Sequence, residues 1–209
     1  MAILIISLLI LILSIIAHEV AHGFAADSLG DPTPRLAGRL TLNPLPHIDP
    51  MGSIVIPALL ILTHSPIFFG WAKPVPYNPY NLRHQPWGEV WVALAGVTTN
   101  ICIAVVFGLV VRYGIGNTAT ITIAAEIAFT NLFLALFNLI PFPPLDGFSA
   151  LRAALPWNLS AKMRQFEQSM GSNSGVSLIL FLLFFSYVLS VPFFQLVTYL
   201  FGLLTGVGI

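Results

Sequence analysis

Charged residues are scarce in this chain, and their scarcity excludes a whole class of proteins. Only 8% of the 209 residues are Asp, Glu, Lys or Arg, whereas 57% are hydrophobic. Soluble domains contain about 25% charged residues. The composition therefore predicts an integral membrane protein that contacts a lipid bilayer. Positive and negative charges also balance, which argues against nucleic acid as a partner.

Cysteine is almost absent as well. Cys102 is the single cysteine, so the chain cannot form an internal disulfide or a cysteine-based zinc site. A cleaved signal peptide has a basic segment before its apolar run, and no basic residue precedes the first apolar run here. We therefore expect this run to remain as a membrane helix.

Long apolar runs are present, and they predict the fold. A run of roughly 17 to 25 residues can span a bilayer as a helix, and the segments 2–25, 88–111 and 119–140 have this character. Prolines interrupt a fourth run, 51–69, and the last run, 175–208, is expected to form two helices separated by Pro192. The predicted fold class is an all-α polytopic membrane protein, a single domain over residues 1–209. Five to six hydrophobic segments surround a three-helix core within residues 1–150.

Two shorter segments predict a small membrane-associated β element. Residues 35–42 and 71–77 alternate enough between apolar and polar side chains to form strands. The exposed edge of such a strand could pair with another extended chain.

The first apolar run ends in the motif His18-Glu19-Val20-Ala21-His22. On a helix the two histidines lie one turn apart on the same face, so both can bind one Zn²⁺. The glutamate between them lies beside the metal, where it can accept a proton from water. Ionisable side chains at membrane depth are costly and indicate function.

A catalytic zinc site needs a third protein ligand, and Asp146 is the best-placed candidate. It belongs to the segment NLIPFPPLDG, residues 138–147, which ends the third long apolar run. Prolines end that helix and favour an extended, rigid segment at the membrane boundary. The alternative is that Asp146 only caps the next short helix.

Together, HEVAH and NLIPFPPLDG resemble the site-2 protease family of intramembrane zinc metalloproteases, peptidase family M50, in its compact form without a PDZ or CBS domain. Three supporting stretches agree: 39–53, 69–83 and 94–100. The resemblance implies one Zn²⁺ per chain, bound by His18, His22 and Asp146, with Glu19 as the catalytic base. It also implies that Asn138 orients the substrate or stabilises the oxyanion. The implied substrate is a transmembrane protein, hydrolysed by zinc-activated water.

Three further polar residues are candidates for the substrate site or for contacts with the ligands. Asn100 lies inside an apolar helix, where its amide could bind substrate, contact a ligand histidine or simply link two helices. His47 and Asp49 precede Pro50 and Gly52, which is a turn signature. Their alternative role is to support the zinc ligands.

Basic residues predict the topology. If the segment 51–69 re-enters the membrane instead of spanning it, seven of the eight Lys and Arg residues lie on one face and only Arg112 lies on the other. The positive-inside rule then predicts a multi-pass protein of a prokaryotic cell membrane, with its active site towards the cytoplasm. A tilted full span for 51–69 is the alternative.

Two other functions compete with proteolysis. A metal transporter also carries His and Asp in its helices, but it gains nothing from a general base beside a tight metal site. A catalytically silent scaffold that binds membrane helices would not need the three metal ligands and the base, His18, His22, Asp146 and Glu19.

Overall fold

The structure, a computed structural model, describes residues 2–55, 62, 72–171 and 181–207. Among these residues, four helices are long and apolar enough to cross a membrane: Ile5–Ser28, Trp87–Arg112, Thr118–Asn138 and Phe181–Thr205. Within the described residues all regular structure is helical. The predicted all-α fold is thus confirmed for these residues, with helices that could span a membrane. The predicted segment 51–69 lies mostly outside the described residues, so the expected total of five to six hydrophobic segments stays a prediction.

The α-helices of the described residues are numbered in chain order. They are α1 (Ala2–Ser28), α2 (Thr33–Leu36), α3 (Trp87–Arg112), α4 (Thr118–Asn138), α5 (Asp146–Ala154), α6 (Trp157–Gly171) and α7 (Ser190–Thr205). Short 3₁₀ turns cover Leu45–His47 and Pro79–Asn81, and π-helical turns cover Pro50–Val55 and Phe185–Leu189.

Helix α3 contacts α1, α4, α5 and α7, and so forms the centre of the bundle. Ala104 of α3, Leu132 of α4 and Val197 of α7 make one buried cluster. Where α4 meets α1, the Asn131 amide donates to the Ser14 hydroxyl at 2.9 Å. Interhelical hydrogen bonds of this kind help to hold membrane helices together, because lipid supplies little hydrophobic driving force between them.

The last membrane helix joins α4 through a cluster of aromatic rings. The ring of Phe137 lies 5.2 Å from that of Phe185, and the ring of Phe133 lies 5.4 Å from that of Phe193. Both pairs meet edge to face, an arrangement that aromatic rings prefer over a face-to-face sandwich. This packing holds α4, and therefore the segment that follows it, against the bundle.

The predicted β element does not form in the described residues. Residues 35–42 were expected to be a strand, but Pro34 lies in the first turn of α2 and fixes a backbone angle suited to a helix. The second predicted strand begins at residue 71, which lies outside the described residues, and 72–78 has no regular structure. Pro74 and Pro76 lack the N–H groups that a strand would contribute to a ladder.

The predicted break at Pro192 also does not occur. Helical structure runs from Phe181 to Thr205 without interruption. The π-helical turn Phe185–Leu189 lies just before the proline, and the Ser190 N–H donates to the Phe185 carbonyl. A π turn shifts the hydrogen-bond pattern by one residue and is a common way for a helix to absorb a local defect.

Three helix ends meet at one end of the bundle, which we call the site end: the C-termini of α1 and α4 and the N-terminus of α3. Two backbone hydrogen bonds hold the intervening chain there. The Arg83 N–H donates to the Leu29 carbonyl, and the Lys73 N–H donates to the His47 carbonyl, both at 2.9 Å. The described residues on both flanks of the segment 51–69 therefore lie at the site end.

Candidate metal centre

Three predicted ligands meet at the site end of α1. The distance from His18 Nε2 to Asp146 Oδ2 is 2.9 Å, and from His22 Nε2 to the same oxygen it is 3.3 Å. The two Nε2 atoms are 3.0 Å apart. Because both histidines are buried, the cluster is shielded from bulk water. Among the described residues it is the one group of His, Cys, Asp or Glu whose ligand atoms converge in this way.

The spacing and the donor atoms fit a divalent cation. In a tetrahedral zinc site the ligands lie about 2.0–2.2 Å from the ion, which puts the ligand atoms about 3.3–3.6 Å from one another, slightly farther apart than most of the distances here. Asp146 Oδ2 is buried and has no hydrogen-bond partner among the described residues. Two imidazole nitrogens and a carboxylate oxygen so close together would repel one another through their lone pairs unless a proton or a cation lay among them.

Each histidine has a partner for its other ring nitrogen. His22 Nδ1 lies 2.7 Å from the Val92 carbonyl oxygen of α3. That oxygen can only accept, so Nδ1 carries the proton and Nε2 keeps its lone pair for a metal. His18 Nδ1 lies 3.3 Å from the Asn100 amide nitrogen. The structure thus brings Asn100, which is fully buried, to a ligand histidine.

Gly96 lets α3 approach the ligands closely. A Cβ atom at this position would lie 2.5 Å from His22 Nε2 and 2.6 Å from His18 Nε2. These distances are shorter than van der Waals contact, so any larger residue would displace the ligand atoms themselves. The space in front of the histidines therefore depends on the absence of a side chain at residue 96.

Glu19 lies beside the cluster, half-buried, on the same stretch of α1. Its Oε2 atom accepts a hydrogen bond of 2.9 Å from the Val75 backbone N–H. Val75 belongs to the irregular segment 72–78, so this segment lies against the glutamate of the HEVAH motif.

Asp146 is the first residue of α5, where the helix dipole favours a carboxylate. An ion cluster holds α5 to α3: Arg152 of α5 pairs with Glu89 of α3, and also with Glu167 of α6 at 3.2 Å. Glu89 is buried and lies one turn before Val92, whose carbonyl holds His22. The same helix therefore positions ligands from α1 and α5.

The pKa values near the centre follow from burial and hydrogen bonding. Burial alone would raise the pKa of Asp146, but the adjacent imidazoles of His18 and His22 outweigh it and lower the pKa to about 2. Burial also raises the pKa of Tyr77, which lies near Glu89 and Asp146, to about 12. At neutral pH Asp146 is therefore an anion suited to a cation, and Tyr77 is a neutral phenol.

Three other candidates have local partners instead. The Asn138 amide donates to the Leu134 carbonyl of its own helix at 2.9 Å. His47 Nε2 lies 2.9 Å from the Thr41 carbonyl oxygen, and Asp49 accepts from the Gly52 N–H at 2.7 Å. His47 and Asp49 therefore have the loop and turn contacts that their sequence context indicates.

Sequence reasoning missed three contributions to the site: the Val92 carbonyl, the Val75 N–H and the missing side chain of Gly96. Two of them are backbone groups, which every residue carries, so side-chain patterns do not reveal them. Gly96 did have a signal, because a glycine inside an apolar helix often marks close approach of another element.

Comparison with known proteins agrees with the site. The family model for peptidase family M50 matches residues 115–182. Over 166 residues the chain is 39% identical to a Bacillus subtilis protein provisionally named zinc metalloprotease YwhC, an alignment that covers 75% of this chain and 72% of that relative. The chain belongs to peptidase family M50.

More distant relatives match a smaller share of the chain. Proteins provisionally named zinc metalloprotease Rip2 are 31% identical to the chain in Mycolicibacterium smegmatis and 30% identical in Mycobacterium tuberculosis. Each alignment covers 69% of this chain and 55% of the relative. No solved structure is significantly similar to the chain. Membership of family M50 indicates a metalloprotease, and the four long apolar helices of the described residues indicate a membrane protein.

Proposed function

We propose that this protein is an intramembrane zinc metalloprotease of the site-2 protease type, which hydrolyses peptide bonds of membrane-spanning proteins. One observation carries the proposal: His18, His22 and Asp146 converge beside Glu19 at one end of a membrane-spanning helix. A metal site with an adjacent carboxylate base is suited to hydrolysis. Its position on a membrane helix favours substrates that lie in the bilayer.

His18, His22 and Asp146 would hold one Zn²⁺ per chain. When bound, zinc supplies Lewis acidity: it lowers the pKa of a coordinated water and polarises the scissile carbonyl. Val92 fixes the tautomer of His22 through the hydrogen bond to Nδ1. Asn100 can do the same for His18 if its amide presents Oδ1, which is buried and has no partner among the described residues. The two amide orientations differ only by a 180° rotation about the terminal bond.

Glu19 would act as the general base and then as the general acid. Its carboxylate takes a proton from the attacking water and later delivers it to the nitrogen of the departing amine, so that the proton balance closes within one turnover. Asn138 lies at the C-terminus of α4, at the site end, where it would contact the substrate chain. That role is supported by the resemblance of NLIPFPPLDG to the family motif.

The site end is proposed to face the cytoplasm of a prokaryotic cell. Arg39 and Lys73 lie at this end in the loops, and Arg152 lies in α5 beside Glu89. Arg112 lies at the opposite end, where its guanidinium donates to the Leu203 carbonyl at 2.8 Å. The excess of basic residues at the site end favours the cytoplasmic orientation.

The test compares the wild-type chain with Glu19→Gln in a bacterial host. We expect membrane-protein fragments with new termini inside transmembrane segments to appear only with the wild type, because the amide that replaces the carboxylate cannot accept a proton from water. Proteomic analysis of chain termini in the membrane fraction measures this. Purified Glu19→Gln should keep about one zinc per chain, whereas His22→Ala and Asp146→Ala should lose it.

Glu126→Gln is the matched control, because Glu126 is a carboxylate of α4 that lies more than three turns from the site end. Its fragment pattern should equal that of the wild type. Identical fragments from wild type and Glu19→Gln would overturn the proposal. Zinc uptake into proteoliposomes by a chain that yields no fragments would instead favour the transporter.

A further inference from the structure

The segment Lys73-Pro74-Val75-Pro76-Tyr77 offers only one backbone donor at its centre. Proline has no N–H, so between residues 74 and 76 only Val75 can donate a backbone hydrogen bond. That N–H points at Glu19 and lies 2.9 Å from Oε2. The two prolines thus leave the Val75 N–H as the one backbone donor of residues 74–76 opposite the Glu19 carboxylate.

Buried side chains fix the segment on both sides of Val75. Before it, the Arg39 guanidinium donates to the carbonyls of Lys73 and Pro74, at 2.5 and 3.2 Å. After it, the Asn78 N–H donates to the Asp31 carboxylate at 2.6 Å. Arg39 and Asp31 are both buried. A donor anchored in this way is preorganised, which is what a catalytic group requires of its supporting contacts.

The face of α1 that carries Glu19 is shaped to receive Val75. Gly23 lies one turn after Glu19, and a Cβ atom there would lie 3.0 Å from Val75 Cγ1. The Val75 side chain is itself buried. Close packing of the valine against the glycine brings the Val75 backbone within hydrogen-bond distance of the carboxylate.

We infer that the Val75 N–H is the positioning group of the general base: it holds Glu19 Oε2 and leaves Oε1 to exchange the proton with water and the leaving amine. This inference rests on the proposed function for the role of Glu19. A base that is oriented by a third group is a recurring arrangement in hydrolases. The prolines on both sides prevent a second N–H from competing for the carboxylate.

The contact itself can be tested without any activity, by hydrogen exchange of the intact, reconstituted protein. The difference in deuterium content between two peptides that differ only by residues 74–76 gives the exchange of the Val75 amide alone, because the flanking prolines carry no amide hydrogen. We expect slow exchange in the wild type and in Glu19→Gln, whose amide oxygen can still accept. In Glu19→Ala exchange should be at least about tenfold faster, the effect of losing a hydrogen bond to a side chain. Equal exchange in all three proteins would overturn the inference.

The positioning role is tested by Val75→Pro, which removes the N–H, against Val75→Ala, which keeps it and removes two methyl groups. Cleavage is followed on a membrane protein identified by the Glu19→Gln comparison, reconstituted in the same vesicles. We expect Val75→Pro to lower kcat about 100-fold relative to Val75→Ala, with KM and zinc content unchanged.

The outcomes separate this inference from the proposed function. If Val75→Pro cleaves as fast as Val75→Ala while Glu19→Gln is inactive, the positioning role is wrong and the protease proposal stands. If the wild type cleaves no membrane protein, the protease proposal fails. In that case the exchange experiment still decides whether Val75 binds Glu19. Should Val75→Pro not fold, faster exchange in Glu19→Ala supports the inference through the contact that it requires, and equal exchange of the three Glu19 forms overturns it.

Discussion

At the scale of single residues, the packing of the candidate metal centre depends on Gly96. We predict that Gly96→Ala lowers the affinity for zinc at least about tenfold, because a methyl group 2.5 Å from His22 Nε2 must push that atom away from the ion. Competition with a chelator, followed by measurement of zinc in the purified protein, gives the affinity.

Gly108 provides the matched control for this substitution. It is another buried glycine of α3, but a Cβ atom there would meet the Leu204 side chain of α7, at 2.5 Å, far from the ligands. Gly108→Ala should therefore lower the thermal stability and leave zinc affinity unchanged. Wild-type zinc affinity in Gly96→Ala would show that the histidines can move aside without losing the ion.

The side chains of this site were predictable, whereas its backbone groups were not. The spacing of His18 and His22 on one helical turn directly indicates a shared metal ion, and the place of Asp146 after a proline-rich helix end made it the best candidate for the third ligand. The Val92 carbonyl, 70 residues from His22 in the chain, has no side-chain signature. Its role follows only from the packing of α3 against α1.

At the scale of elements, Asp31 connects the end of α1 with α2 and with the 3₁₀ turn Pro79–Asn81. Its buried carboxylate accepts hydrogen bonds from Thr33 Oγ1 at 2.6 Å, from the Asn78 N–H at 2.6 Å and from the Asn81 amide at 2.9 Å. We predict that Asp31→Asn lowers the free energy of unfolding by about 1–3 kcal/mol at pH 7, because its NH₂ group would face donors. Thermal unfolding in detergent measures this.

The same contact predicts a pH dependence. Burial tends to raise the pKa of Asp31, but the hydrogen bonds outweigh it and lower the pKa below 3.8. A lowered folded-state pKa stabilises the fold above the unfolded value, and the gain is lost as pH falls through the folded pKa. The difference in the free energy of unfolding between wild type and Asp31→Asn should therefore have its full value at pH 7 and become smaller below pH 3.8.

Asp27→Asn serves as the control for Asp31→Asn. Asp27 pairs with Arg35, whose side chain is 66% exposed, at 3.2 Å, and such surface pairs contribute about 0–1 kcal/mol. A loss of stability as large in Asp27→Asn as in Asp31→Asn would contradict the anchoring role of Asp31. So would a difference between wild type and Asp31→Asn that does not change with pH.

Elements were predictable where composition alone decides them. The apolar runs that became α1, α3 and α4 are long enough to cross a membrane as helices, in which the backbone hydrogen bonds lie within the segment itself. The predicted strand 35–42 was wrong because Pro34 and the hydrogen bonds of Asp31 to Thr33 favour a helical turn. The predicted break at Pro192 was wrong because a π turn precedes it. Both outcomes depend on local hydrogen bonds that hydrophobic patterns do not describe.

At the scale of the whole molecule, the candidate metal centre and most of the basic residues share one end of the bundle. Arg35 and Arg39 follow α1 directly, and Arg83 donates its backbone N–H to Leu29. The opposite end has Arg112, the one basic residue at that end of the described chain. A bundle with this asymmetry has a preferred orientation, because basic loops are retained on the cytoplasmic side.

Cysteine labelling tests that orientation. In a chain with Cys102→Ala, we predict that Ile115→Cys, in the exposed turn between α3 and α4, reacts with a membrane-impermeant maleimide in intact bacterial cells. Ala37→Cys, exposed after α2 at the site end, should react only after the membrane is permeabilised. The reverse pattern would place the metal centre outside the cell and contradict the proposed cytoplasmic orientation. Labelling of both positions in intact cells would also contradict it, provided that a cytoplasmic control protein remains unlabelled in the same cells.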